Sequence, residues 1–212
     1  MGAYMGAFGG KPYLHFLVPG VLATAVMMSA SFECLYGTYV KIVHEKVYDS
    51  LIATPVSAGD AVAGDILWGS FRGLVSGTLM MTVALFMGVA PASPWRFAVL
   101  LAFMVFIGVL FGSLAMIVTS VAPSFDFFSY YTELVITPMM FFSGVFFPLD
   151  NFPGWMKTLA GFMPLTHAVR VSRAVFTGEP APGLGWSFAG LAALTAVVFT
   201  VSVRMMRKRL IK

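Results

Sequence analysis

Five long runs almost free of charge limit what this chain can become. They cover about residues 13–37, 67–89, 97–121, 127–147 and 185–204. A helix rises about 1.5 Å per residue, so roughly 20 residues cross a bilayer's hydrocarbon. Each run is long enough, although Glu133 interrupts the fourth. The runs are continuous rather than alternating, and an open sheet cannot satisfy its backbone in lipid. The expected fold class is therefore all-α: one polytopic domain, 1–212. Composition agrees, since 59% of the 212 residues are apolar and 10% charged, whereas roughly 25% of a soluble domain is charged.

Charge sets the expected orientation. Five of the thirteen Lys and Arg residues lie in the last nine positions: Arg204, Arg207, Lys208, Arg209 and Lys212. Such a tail is a membrane flank, not a nucleic-acid site, and the positive-inside rule puts it in the cytoplasm. Five spans then place Lys41–Asp65 inside and the N-terminus and Pro148–Gly183 outside. The glycine-rich opening, Gly2 to Gly10, reads as the end of something rather than a start. An upstream span lost through truncation or a misplaced start codon is expected; the alternative is a five-span protein with a translocated N-terminus. Cys34, the single cysteine, reads as a small buried hydrophobe.

The inside stretch, 41–60, mixes Glu45, Lys46, Tyr48 and Asp49 with Val47, Leu51 and Ile52. Those apolar positions share one helical face. Thr54–Pro55 should stop that helix, and Ser57 with Asp60 resembles a capping box that starts the next. A short amphipathic helix, a turn and a second helix result. Such an element is either an interfacial connector or a docking knob for a soluble partner.

Glu33, Arg72 and Glu133 lie within or at the ends of apolar runs. A charge in the membrane costs at least about 2.5 kcal/mol, so these should be paired or face a polar cavity. Arg72 is expected to neutralise one or both carboxylates, as a fixed bridge or as a gate. In the third run Gly108, Gly112, Ser113 and Ala115 allow close helix approach. The outer segment, 148–178, should hold an amphipathic helix from Phe152 to Phe162, broken by Pro164. Thr166 is expected to cap a second helix carrying His167, Arg170 and Arg173 on one face. That basic face would meet lipid headgroups, an acidic glycolipid or solvent.

These elements, in order, resemble the permease subunit of type-2 ABC exporters, especially nodulation-factor (lipo-chitooligosaccharide) export permeases. The resemblance rests on Phe16–Leu17–Val18–Pro19–Gly20, Ser31–Phe32–Glu33 with Tyr36, and Glu45–Lys46–Val47–Tyr48–Asp49. It continues through Ala53–Thr54–Pro55–Val56–Ser57 with Asp60, Leu67–Trp68, and Arg72–Gly73. The last matches are Phe142–Ser143–Gly144–Val145–Phe146–Phe147–Pro148–Leu149–Asp150 and Pro164–Leu165–Thr166–His167–Ala168–Val169–Arg170.

The resemblance implies six spans, one more than is visible, in a bacterial inner membrane. It makes Glu45 to Asp49, Leu51, Thr54, Pro55 and Ser57 a coupling helix that docks on an ATPase subunit. It turns the outer segment into a re-entrant hairpin. The expected assembly is two permeases with two ATPase subunits, in contact with lipid, exporting an amphipathic substrate. Because the chain has no Gly-x4-Gly-Lys-Ser/Thr loop, ATP and Mg belong to the partner, and no cofactor, catalytic residue or metal site is expected here. The rivals are an integral membrane enzyme acting on lipid-linked substrates through Asp49, Asp60 or Asp65, and a non-transporting scaffold.

Overall fold

The computed structural model describes residues 13–52, 55–149, 152–179 and 183–210. Every regular element among them is a helix. Among the described residues four helices are long and apolar enough to cross a membrane: α1 (Tyr13–Val43), α3 (Ala58–Phe86), α4 (Pro94–Val121) and α8 (Leu184–Leu210). The short α2 (Val47–Ile52) joins α1 to α3. Beyond α4, α5 occupies 126–142, followed by α6 (Gly154–Phe162) and α7 (Pro164–Thr177).

Helix ends and apolar runs do not coincide. α3 begins at Ala58, where Ser57 caps it, nine residues before the apolar run. The first turns, with Asp60 and Asp65, are helical but polar, because a cap rather than hydrophobicity starts a helix. The fourth run ends as helix at Phe142. Gly144, at φ 73°, takes the left-handed conformation that terminates helices. About 25 Å of helix remains in α5.

Two of the long elements contain a π-helical turn. In α1 it spans Glu33–Gly37, where the Thr38 N–H donates to the Glu33 carbonyl. In α5 it spans Thr132–Ile136, just before Pro138. Proline lacks an N–H and clashes with the carbonyl four residues back, and a widened turn relieves both. Each π turn carries an acidic residue, Glu33 or Glu133.

Small residues set the core geometry. Gly69, Gly73 and Gly77 line the face of α3 against α1, where a Cβ on Gly73 would sit 3.1 Å from the Val26 carbonyl oxygen. Gly108 of α4 lies on the backbone of Ser70, and Gly112 lies against the Cys34 thiol. The small residues of the third run thus pack α4 inside the protomer. Cys34 is fully buried, as its apolar setting suggested. α8 covers α3 and α4, and α7 packs on α1, α4 and α8 at the end where α1 begins.

The apolar residues left outside mark the lipid surface. Leu67, Trp68, Phe71, Leu79 and Phe86 project from α3. Trp95, Trp155 and Trp186 are 63%, 66% and 86% exposed at the end where α1 starts. Exposed tryptophans gathered at one level form the aromatic belt of a membrane interface. Arg204, Arg207, Lys208 and Arg209 end α8 at the opposite, basic end. Arg209 donates to the Thr119 carbonyl and lies over the Tyr39 ring, so part of the basic tail caps α4.

A candidate coupling segment and the polar cleft beside it

The connection between α1 and α3 is built on one carboxylate. The N–H groups of His44 and Glu45 both donate to the Val40 carbonyl, at 2.9 and 3.0 Å. Lys46 then turns the chain with φ 51°, an uncommon value for a residue bearing a Cβ. α2 follows, and its Tyr48 is 2% exposed. The Tyr48 hydroxyl donates to Asp65 Oδ2 at 2.6 Å, and the Thr38 hydroxyl donates to the same oxygen at 3.1 Å. Lys41 Nζ meets Asp65 Oδ1 at 2.8 Å, with the carboxylate 14% exposed. Asp65, on α3, thereby holds the end of α1 and the whole of α2. Burial and the adjacent carboxylate push the Tyr48 phenol well above its ordinary pKa, so it stays a donor.

Ser57 caps α3 as the sequence indicates, but Asp60 answers through the Ser57 hydroxyl, so the capping box is formed in part. Ser57 Oγ accepts from the Asp60 N–H at 3.2 Å and donates to Asp60 Oδ2 at 2.7 Å. Glu45, Lys46, Ser50, Pro55 and Ser57 are exposed, and Val47 is half-buried. Ala53 and Thr54 lie outside the described residues, as do the side chains of Asp49, Leu51 and Ile52. Tyr48 differs from its expected role as a docking contact: it faces inward and anchors α2.

Beside this segment, α1 and α3 enclose a cleft of about 540 Å³. Arg72 pairs with Glu33 Oε2 along its wall, the two side chains being 57% and 11% exposed. The Glu33 carboxylate lies over Gly37, where a Cβ would stand 2.8 Å from Oε1. Phe32 and Tyr36 form an aromatic wall, and Tyr36 continues the stack to Phe125 at 6.1 Å. Lys41 and Glu45 close the polar end. Arg72 thus meets Glu33 and not Glu133, which is exposed on the α5 π turn.

The opposite end departs from expectation in two ways. Thr166 does not cap α7: the helix already starts at Pro164, with Met163 in the cap position. Proline fits the first helical position because its missing N–H and fixed φ cost nothing there. Nor does His167 share a face with Arg173. Residues six apart on a helix diverge by roughly 120°. His167 Nε2 donates to the Gly161 carbonyl at 2.9 Å, and its Nδ1 accepts from Ser187 Oγ at 3.1 Å. Arg170 Nη1 reaches Ser187 at 3.4 Å. Arg173 makes no such contact with Ser187 among the described residues and donates instead to the Phe16 and Gly144 carbonyls at 3.2 and 3.1 Å, although it lines one cavity with Arg170. Arg96 donates to the Val175 carbonyl at 3.3 Å and complements the negative end of α7.

The sequence reading missed Asp65 as an anchor, treating it only as a candidate acid. Its position near the start of an apolar run, with Lys41 before the intervening turn, was the available signal. Tyr36 as a cleft wall and the Gly69, Gly73, Gly77 stripe were also missed, although the four-residue glycine spacing is visible in the chain.

The profile of the ABC-2 type transporter family matches residues 3–177. The chain belongs to that family. Nodulation protein J of Sinorhizobium fredii is 35% identical over 211 residues, spanning all of this chain and 80% of the relative. Nodulation protein J of Rhizobium leguminosarum bv. viciae is 34% identical over 212 residues, 100% of this chain and 81% of the relative. The inner membrane transport permease YadH of Escherichia coli is 26% identical over 178 residues, 84% of this chain and 68% of the relative. As an ABC-2 type permease, the chain is a multi-pass bacterial membrane protein and the membrane subunit of a transporter.

Proposed function

We propose that this permease is the membrane half of an ATP-driven exporter whose 41–60 segment receives force from a separate ATPase subunit. The observation that carries the reading is the Asp65 node. Thr38, Lys41 and Tyr48 converge on one carboxylate, so displacement of α2 must displace both α1 and α3. A soluble domain bearing on the exposed Glu45, Lys46 and Ser50 would therefore tilt the two helices that wall the cleft. Two permeases would act with two ATPase subunits, which carry the ATP and Mg. The basic end, including the C-terminus, would face the cytoplasm.

The cleft suits an amphipathic cargo. Phe32 and Tyr36 offer faces for sugar rings or acyl chains, while Glu33, Arg72 and Lys41 offer hydrogen bonds. A lipo-oligosaccharide, a polysaccharide or a hydrophobic drug fits that mixture. Opening the Glu33–Arg72 pair as the helices tilt would admit the cargo's polar part.

Cysteine crosslinking tests the docking claim. Glu45→Cys and Ser50→Cys should each capture the ATPase in inside-out vesicles, while the buried Cys34 stays silent. Labelling of those cysteines by an impermeant reagent from the periplasmic side, with no ATPase captured, would defeat the proposal. Substrate-stimulated ATP hydrolysis by the reconstituted complex tests the export claim itself.

A further inference from the structure

A second cavity, of about 260 Å³, lies at the far end of the bundle beneath α7. It sits roughly 40 Å along α1 from the Asp65 node, and nothing in the coupling mechanism uses it. Its lining includes Ser143, Thr166, Arg170, Arg173 and Thr177, with Glu179 among the exposed residues around it. Thr166 is 2% exposed, and its hydroxyl has no hydrogen-bond partner among the described residues. The Arg173 Nε–H is likewise buried and without a partner among those residues. Leaving such a donor unsatisfied costs about 1–3 kcal/mol, so two in one small cavity require explanation.

The charges point the same way. Neither Arg170 nor Arg173 pairs with a carboxylate among the described residues. Arg173 is held by two backbone carbonyls and by the Phe16 ring, 3.7 Å from its guanidinium carbon. Carbonyls and a π face fix the guanidinium's position but leave its charge unneutralised. Two guanidinium groups against the single carboxylate of Glu179 leave one positive charge on the described lining.

We propose that this cavity binds one phosphate-class oxyanion, presented by a lipid headgroup or free in solution. The oxyanion accepts from Thr166 Oγ1, Arg173 Nε and Arg170. A monoanionic phosphodiester matches the net charge of the lining, and guanidinium groups match its oxygens in pairs. The site is independent of the export reading, since it requires neither an ATPase nor a cargo.

The test uses the purified full chain, the Thr166→Val/Arg170→Gln double variant, and three probes. These are phosphatidylglycerol, diacylglycerol as the phosphate-free control, and inorganic phosphate. Thr166→Val preserves the side-chain shape and Arg170 is exposed, so the variant should fold, which circular dichroism checks. For a lipid source, native mass spectra should show one phosphatidylglycerol retained per wild-type chain, at least tenfold less on the variant, and no retained diacylglycerol. For a free anion, inorganic phosphate alone should raise the wild-type Tm and leave the variant's unchanged. Equal retention and equal Tm response in the two proteins, or no response to either phosphate probe, would overturn the site.

Discussion

Asp65 concentrates more structure than any other side chain at the basic end. Its carboxylate takes two hydroxyl donors and one ammonium while largely buried. Replacing it by Asn removes the counter-charge of Lys41 and weakens both hydroxyl bonds. Partly buried pairs of this kind are costly to break from one side. Asp65→Asn should lose about 2 kcal/mol, seen as a lower Tm in detergent, and should uncouple ATP hydrolysis from transport. Tyr48→Phe removes a single bond to a charged acceptor and should cost about 1.5 kcal/mol. An Asp65→Asn protein with wild-type Tm and coupling would dismiss the anchor. In the Glu33–Arg72 pair the arginine is open to its surroundings, so the contact itself adds little stability and its consequence should be kinetic. Glu33→Arg and Arg72→Glu should each lower transport at least tenfold, and the combined swap should recover most of it. A double variant no better than either single one would exclude a direct role for the contact.

Between elements, the contact of α1 with α3 depends on atoms that are absent. Gly73 has Val26 backbone and side chain at about the distance a Cβ would need. Gly73→Val should force the two helices apart at a cost of about 2–4 kcal/mol, measured as loss of monodisperse protein on size-exclusion chromatography. Gly64, on the same helix, would place a Cβ more than 4 Å from its neighbours among the described residues. Gly64→Ala should leave the Tm unchanged or slightly raised. If both variants behave alike, the close approach is not what orders these helices. The π turns belong to this scale too. One places Glu33 over Gly37 and toward Arg72, while the other turns Glu133 outward from α5. A π turn re-aims side chains without ending the helix, so each element stays continuous while presenting a carboxylate.

Taken whole, the molecule is a bundle with unlike ends. One carries the basic tail and the Asp65 node; the other carries the tryptophans, the α6–α7 pair and the oxyanion cavity. α1 runs between them for about 46 Å. If Trp95, Trp155 and Trp186 mark one interface, single-tryptophan variants in bilayers should be quenched strongly by nitroxide lipids labelled near the headgroup. They should be quenched only weakly by lipids labelled near the chain end. Equal quenching at both depths would mean that this end lies elsewhere in the membrane.

The sequence by itself determined the class of fold, the order of the apolar runs, the helix cap at Ser57 and the need to neutralise Glu33. These follow from local chemistry: a run long enough to span, a hydroxyl three residues before an acid, a charge in an apolar stretch. Tertiary structure alone decided which charges meet. Arg72 chose Glu33 over Glu133 because α1 and α3 close on a glycine stripe, while α5 turns its carboxylate outward. It turned Tyr48 from a docking contact into an anchor, and it parted His167 from Arg173 by wedging α7 between α1 and α8. Partners of that kind are set by helix–helix distance and rotation, which residues far apart in the chain fix jointly and no single stretch contains.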